Sequence, residues 1–165
     1  MGIRVLIACH VAAGLVAVTC GVVAMLAPKR PGRHPRWGRA YLAALASVVV
    51  TGTMLAATDW AHLWHLPALG AVAVALAGLG YTARRLRWPG WTVTHIPAMG
   101  GSYIAMLTAF YVDNGPRLPL WNQLPPVAFW FLPAAVGAPL IAWALRRRFT
   151  AALARSRPGC PSRRA

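Results

Sequence analysis

Acidic residues are almost absent from this sequence of 165 residues. Asp59 and Asp113 are the only two, and they stand against seventeen basic residues, all arginine except Lys29. Neither aspartate lies inside a long apolar run, and those runs contain no arginine or lysine. This absence disfavours proton-relay pumps, intramembrane aspartyl proteases and carboxylate-coupled carriers, because such proteins place carboxylates at membrane depth. No Ser/His/Asp set or phosphate-cradling motif is present either, so we do not interpret the chain as an enzyme.

Cysteine is also scarce. Cys9 and Cys20 lie within one apolar run, Cys160 lies near the carboxyl terminus, and no Cys-x-x-Cys motif occurs. The sequence therefore predicts neither a disulfide framework nor a thiolate metal site.

Long apolar runs, in contrast, are abundant. Hydrophobic residues make up 58% of the chain, and the mean hydropathy is +0.53. A helix needs about 20 apolar residues to cross a hydrocarbon core about 30 Å thick. Five uncharged runs approach or exceed this length: residues 5–27, 40–58, 66–83, 92–112 and 124–145. They predict an all-α, polytopic membrane helix bundle of about five transmembrane helices in one domain, residues 1–148. Residues 149–165 are expected to form a basic, disordered cytoplasmic tail.

The net charge of +15 predicts how the bundle is oriented. Basic residues cluster after the first, third and fifth runs, which share one side of the membrane if there are five spans. Cytoplasmic segments are enriched in arginine and lysine, so we expect the amino terminus outside and the carboxyl terminus inside a bacterial cytoplasmic membrane. The expected partners are the bilayer with its anionic headgroups and a second copy or a membrane complex. Nucleic-acid binding is not expected, because topology accounts for the charge.

The five histidines are the only groups near the membrane that can titrate or bind a metal. His10 lies about 10 Å below the outer end of the first helix, judged from helical rise. His62 and His65 lie in the outer segment that follows the second run. His34 and His95 fall on the inner side. The sequence thus predicts two groups, His10 with His62 or His65 and His34 with His95.

Each group also has a structural interpretation. A histidine inside a span is a functional hypothesis by default, but His10 could simply hydrogen-bond a neighbouring helix, for instance at Thr53 or Thr58. For His62 and His65, which lie beside tryptophans, an interfacial aromatic belt is the simpler interpretation.

Two short motifs involve these histidines. The first helix contains His10 and Gly14 in the pattern His-x-x-x-Gly. The following basic segment contains His-x-x-x-Gly-Arg-x-Tyr, whose fixed positions are His34, Gly38, Arg39 and Tyr41. This segment resembles a cytoplasmic loop in an uncharacterised family of small multi-pass bacterial membrane proteins, catalogued as a domain of unknown function.

The resemblance extends from residue 9 to residue 112. Members of the family also show a later histidine that is followed, four residues on, by methionine. His95 and Met99 match this motif, although Ala98 stands where members usually have tryptophan. The resemblance implies that these signature residues are functional candidates, and it implies no activity.

Three functional hypotheses remain open from the sequence. A structural or accessory membrane protein without a cofactor needs only helices that pack together and the topology described above. A b-type haem or other redox protein would use His10 with His65 and His34 with His95 as axial ligands, with arginines pairing the propionates. A small-molecule transporter or binding protein would line a cavity with the Gly100-Gly101 break and a fifth helix kinked at Pro133 and Pro139.

Overall fold

The computed structural model describes residues 2–28, 32–119 and 121–156, and these ranges form helices, turns and no strand. The helices are α1 (Ile3–Leu26), α2 (Arg33–Ala56), α3 (Trp60–Leu63), α4 (His65–Leu86), α5 (Trp91–Asn114) and α6 (Ala128–Ser156), with a 3-10 turn at Gly115–Arg117. The all-α prediction is confirmed. Helix α6 includes the start of the predicted tail, and residues 157–165 lie outside the described residues.

Four of these helices are long and apolar enough to cross a membrane. They are α1, α2, α4 and the Ala128–Thr150 part of α6. Helix α5 is as long as α1, at 24 residues, but is less apolar. It carries polar side chains toward its neighbours, including the buried Ser102 and Thr108. The chain is therefore a helical membrane protein with at least four helices suited to spanning.

Two helix boundaries differ from the apolar runs. Helix α2 begins at Arg33, seven residues before its predicted span, so the motif from His34 to Tyr41 is helical. Hydropathy marks where a helix meets lipid, whereas a charged helix can continue beyond it. Helix α6 begins at Ala128 rather than at residue 124, because Pro125 and Pro126 lack amide donors and restrict the preceding backbone.

Contacts between named residues fix the direction of each helix. The end of α1 meets the start of α2, where His34 bonds Ala24, and the end of α4 meets the start of α5, where His95 bonds Gly80. Consecutive long helices are therefore antiparallel. Helices α2 and α5 start at the same end of the bundle, and this is also the end where α1 and α4 finish.

Small residues allow the helices to approach closely. A Cβ added at Gly21 would overlap the ring of Tyr103 of α5, and one at Gly80 would lie 2.9 Å from Met99. The central core is also rich in small side chains: Ala17, Cys20, Ala44, Ala73, Ala77 and Ala105. Lipid tails are as apolar as leucine, so helices in a membrane associate through close packing of this kind.

Helix α6 lies at the edge of the bundle against α5. A Cβ at Gly100 would lie 2.6 Å from Ile141, and a Cβ at Gly137 would lie 2.6 Å from Ile104. These contacts fill the space beside the Gly100-Gly101 segment. The opposite face of α6 is exposed, with Phe131 and Val136 more than half accessible.

The bundle has one strongly basic end, which we call the basic end. It is formed by the start of α2, the end of α4 and the arginine-rich part of α6. Its described arginines are Arg33, Arg36, Arg39, Arg84, Arg85, Arg87, Arg146, Arg147, Arg148 and Arg155. The opposite end carries Arg4, Arg117 and both aspartates.

Candidate functional site: histidines at the two ends of the bundle

His34 lies in the first turn of α2, beside the last turns of α1. Its Nδ1 lies 2.7 Å from the carbonyl oxygen of Ala24. A carbonyl can only accept a hydrogen bond, so Nδ1 carries the proton, and in the neutral ring Nε2 carries a lone pair. The ring is thus held in one tautomer by the backbone of a neighbouring helix.

His95 is held in the same way near the start of α5. Its Nδ1 donates to the carbonyl oxygen of Gly80 at 2.8 Å. This bond depends on close helix packing, because Gly80 has no side chain and lies directly against Met99. The ring of Trp91 packs edge-on against His95, with 5.9 Å between ring centroids.

The two rings form one pair, which we call the basic-end pair. The centroids of His34 and His95 lie 6.3 Å apart, and the ring planes are inclined at 81°. The structure therefore brings together the two histidines that the sequence predicts as one group. Each ring is fixed through Nδ1, so the lone pair on each Nε2 points away from the carbonyl that holds the ring.

A buried polar contact lies two helical turns farther into the bundle. The hydroxyls of Tyr41 and Ser102 lie 2.8 Å apart, and these residues are 2% and 0% exposed. Tyr41 follows His34 by seven residues and Ser102 follows His95 by seven, so α2 and α5 run parallel in one register. Tyr103 beside them donates to the carbonyl oxygen of Val18 at 3.1 Å.

His10 is held by a side chain on α2. Its Nδ1 lies 2.9 Å from the hydroxyl oxygen of Thr51, and that hydroxyl itself donates to the carbonyl oxygen of Ser47 at 2.7 Å. Thr51 therefore accepts from His10, which again leaves the lone pair on Nε2. The expected partners Thr53 and Thr58 bond carbonyls of their own helix instead.

His65 is the first residue of α4 and is 5% exposed. Its Nε2 is buried and has no hydrogen-bond partner among the described residues. The rings of Trp64 and Trp130 pack edge-on against it, at 6.4 and 6.3 Å between centroids. An unsatisfied buried polar atom costs about 1–3 kcal/mol, so this nitrogen calls for an explanation.

His62 is not part of this arrangement. Its side chain is 80% exposed and its Nδ1 lies 2.9 Å from a carboxylate oxygen of Asp59. The hydrogen bond from His62 lowers the pKa of Asp59 from its ordinary value. Of the two outer histidines considered as partners of His10, only His65 is buried.

The remaining signature residues surround these histidines. Gly14 and Gly38, each four residues after a histidine on the same helix face, have open space where a Cβ would stand. Met99 packs against Gly80, and Arg39 is exposed on α2. Across the part of the chain that the structure describes, no group of three or more His, Cys, Asp or Glu side chains could hold a metal ion.

Sequence reasoning missed the groups that orient the rings. The acceptors at Ala24 and Gly80 are backbone carbonyls, which any residue type supplies, so no sequence signal marks them. The Tyr41–Ser102 contact could have been suspected from the sequence, because each residue follows a candidate histidine by seven positions.

No family model, curated protein or solved structure matches this chain.

Proposed function

We propose that this protein is a membrane-embedded b-type haem protein in which His34 and His95 would hold the haem at the basic end. The observation that carries this proposal is the geometry of the basic-end pair. Two rings from different helices lie 6.3 Å apart between centroids and nearly perpendicular, and each is anchored through Nδ1 to a backbone carbonyl.

The separation fits two imidazoles that bind one iron from opposite sides. An imidazole nitrogen binds a transition-metal ion at about 2.0–2.1 Å, and the ring centroid lies about 1.1 Å behind it, so opposed imidazoles hold their centroids about 6.3 Å apart. A histidine that binds a metal usually donates its other N–H to a carbonyl or carboxylate, which fixes the tautomer. The basic-end pair matches this centroid separation, and each of its rings donates Nδ1–H to a carbonyl.

The number of ligands favours haem over a bare metal ion. Zinc and copper sites need three or four protein ligands, and the described residues offer no such group. In haem the macrocycle supplies four ligands, so two histidines complete the coordination of the iron. When bound, haem iron alternates between its ferric and ferrous states and so carries one electron.

The surroundings of the pair suit the rest of the haem. Gly38 lies one turn after His34 and leaves open space beside it, where a flat macrocycle could approach the helix backbone. The arginines of the basic end can pair with propionate carboxylates. The amino termini of α2 and α5 also favour negative charge through their unbonded amides and helix dipoles.

The membrane arrangement is part of the proposal. Helix α5 is inferred to be a fifth span, because it has the length of α1 and packs between α4 and α6, and because its polar Ser102 and Tyr103 bond to α2 and α1. The basic end is then cytoplasmic, with the amino terminus outside, in a bacterial cytoplasmic membrane. Its arginines would also contact anionic headgroups. The signature glycines and histidines support membership of the multi-pass family that the sequence resembles.

A structural or accessory role without a cofactor is the second candidate. It is favoured by the hydrogen bonds of His10, His34 and His95, which hold each ring in place without any ligand. The spacing of His34 and His95 is also that of edge-to-face ring packing, so the experiment below is designed to separate the two candidates. A transporter draws no support from α6, because Ile141 and Ile104 fill the contact where that hypothesis placed a cavity.

Purification of the full chain in mild detergent from cells supplied with a haem precursor tests the proposal. We expect a red protein with the spectrum of six-coordinate, low-spin haem. His34→Ala and His95→Ala should each reduce haem at the basic-end site to below about a tenth of the wild-type level, since a ligand matters at least as much as its supporting residues. Added imidazole should restore the six-coordinate spectrum of His95→Ala if that variant is folded.

His62→Ala is the matched control, because His62 is an exposed histidine at the opposite end of the bundle. It should bind haem like the wild type. A monodisperse wild-type protein that stays colourless, even after haem is added, would overturn the proposal in favour of the accessory role.

A further inference from the structure

A groove opens on the surface of the bundle between α2 and α4, and we call it the α2–α4 groove. Its volume is about 190 Å³, and its lining is apolar apart from the hydroxyl of Tyr81. Leu42 and Ala46 line it from α2, and Val74, Gly78 and Tyr81 line it from α4. Val74 is 44% exposed and Tyr81 is 40% exposed, so the groove faces outward from the bundle.

The groove exists because α2 and α4 pack closely near the opposite end of the bundle and leave space toward the basic end. A Cβ added at Gly70 would lie 3.1 Å from Val49 of α2, so the two helices touch at that level. Two turns farther along α4, a Cβ added at Gly78 would meet nothing within 4 Å. The missing side chain at Gly78 therefore leaves the space unfilled.

Two arginines lie at the basic end of this groove. Arg39 comes one turn before Leu42 on α2, and Arg85 comes one turn after Tyr81 on α4. Residues three or four positions apart share a helix face, so each arginine lies on the face of its helix that lines the groove. Both arginines are exposed. Arg39 lies about 140° around α2 from His34, so it is directed away from the basic-end pair.

The protein offers these arginines no side-chain carboxylate at the basic end. Its two acidic residues, Asp59 and Asp113, lie at the opposite end of the bundle. A guanidinium group binds phosphate through two parallel N–H donors, and the phosphates of lipid headgroups are the anions that a membrane surface supplies. Charge complementarity therefore favours an anionic headgroup at Arg39 and Arg85.

The dimensions of the groove suit an acyl chain below that headgroup. On α4 the lining extends from Val74 to Tyr81, about 10 Å along the helix axis. This length fits within one half of a hydrocarbon core about 30 Å thick. A helix with its side chains is about 10–12 Å across, so a helical segment of the same length would need several times the volume of the groove.

From these observations we infer that the α2–α4 groove binds one anionic phospholipid, with an acyl chain between the helices and the phosphate on Arg39 and Arg85. Lipid tails are as apolar as leucine, so the lining alone gives no preference for one lipid over another. The two arginines supply that preference, and the groove fixes where the lipid lies. This inference does not rest on the function proposed for the basic-end pair.

Titration of the full chain in mild detergent with phosphatidylglycerol, followed by native mass spectrometry, tests the inference. Phosphatidylcholine with the same acyl chains is the reference lipid. We expect the first phosphatidylglycerol to bind more tightly than phosphatidylcholine. Free glycerol phosphate carries the anion without the chains and should not displace it. Equal binding of the two lipids, or displacement by glycerol phosphate, would overturn the inference.

The double variant Arg39→Gln with Arg85→Gln should weaken the binding of phosphatidylglycerol about 25-fold, because each basic residue contributes about fivefold to the attraction of anionic lipid. Arg146→Gln with Arg148→Gln is the matched control, since it removes two exposed arginines from the same end of the bundle but on α6. The control should bind phosphatidylglycerol like the wild type. An equal loss in both double variants would show a general charge effect and overturn the site.

Gly78→Leu fills the groove without changing its charge and should weaken the binding of phosphatidylglycerol about fivefold or more. Gly14→Leu on α1 is its control, because Gly14 also has open space where a Cβ would stand. Gel filtration and helical circular dichroism verify the fold of each variant. Unchanged lipid binding in Gly78→Leu would overturn the groove as the binding site. A wild-type dimer that binds no lipid and dissociates in Gly78→Leu would assign the groove to a second copy instead.

Discussion

His10, His34 and His95 each use Nδ1 for a hydrogen bond to a neighbouring helix, at 2.9, 2.7 and 2.8 Å. The acceptors differ in kind, one hydroxyl and two carbonyls, but the result is the same tautomer. A neutral histidine held in this way presents Nε2 as an acceptor or a metal ligand. Fixing the ring beforehand lowers the entropy lost when a ligand binds.

The Tyr41–Ser102 hydrogen bond gives a prediction at the scale of single residues. Tyr41→Phe should lower the free energy of unfolding by about 1 kcal/mol, because it removes a buried bond and leaves the Ser102 hydroxyl without it. Thermal unfolding in detergent measures the effect. Tyr81→Phe is the control, since Tyr81 is 40% exposed and should unfold like the wild type.

The double variant distinguishes this bond from general packing. Ser102→Ala added to Tyr41→Phe should cost less than the two single changes together, with a coupling of about 0.5 kcal/mol or more. Fully additive effects would show that the two hydroxyls do not interact in the folded protein.

At the scale of helices, the close contact between α4 and α5 positions His95. The contact is possible because Gly80 leaves room for Met99, and it brings the Gly80 carbonyl within hydrogen-bond distance of the ring. Gly78, two residues earlier on the same helix, has open space at its Cβ position. These two glycines therefore form a matched pair for testing the contact.

Gly80→Ala should destabilise the protein by about 1–3 kcal/mol, because the new methyl group would overlap Met99 and push the helices apart. Gly78→Ala should be neutral or stabilise by up to about 1 kcal/mol, since alanine favours a helix over glycine. Thermal unfolding of both variants measures the difference. Equal stability of the two variants would contradict the close packing of α4 and α5.

Sequence patterns predicted the helices better than their ends and contacts. Uncharged runs located each long helix, since lipid exposure demands apolar side chains. They did not mark the start of α2, because Arg33, Arg36 and Arg39 are helical although they lie outside the apolar run. They also gave no reason for α5 to be less apolar than α1, which follows from its position between neighbouring helices.

The sequence predicted which histidines lie together at the basic end, but not how their rings are held. The order of spans put His34 and His95 on one side, and the structure places them in contact. The choice of Thr51 over Thr53 as partner of His10 depends on how α2 is rotated toward α1. Burial of His65 rather than His62 depends on the position of Trp130 in α6, which is far away in the sequence.

At the scale of the whole molecule, charge is segregated between the two ends of the bundle. The described arginines cluster where α2 begins and α4 ends, whereas Asp59 and Asp113 lie at the opposite end. The positive-inside rule then predicts that the basic end faces the cytoplasm. An odd number of spans is required for the two termini to lie on opposite sides.

Single cysteines in a cysteine-free background test this orientation. Asn122→Cys, at the opposite end, should react with a membrane-impermeant maleimide in intact cells, whereas Arg85→Cys should react only after the membrane is permeabilised. Both positions are exposed, so labelling after permeabilisation is the control for each. The reverse pattern would invert the topology, and labelling of both in intact cells would mean that α4 to α6 do not span as proposed.

Electron paramagnetic resonance of the oxidised, haem-loaded protein tests the central claim most directly, because it reports the ligands of the iron and the angle between their planes. The wild-type protein is the sample, and His62→Ala is its control, because His62 is exposed at the opposite end of the bundle. With His34 and His95 inclined at 81°, we predict the strongly anisotropic low-spin ferric signal of two imidazole ligands with perpendicular planes, and its loss in His95→Ala. A high-spin signal, or a low-spin signal that survives the loss of His95, would contradict ligation by this pair.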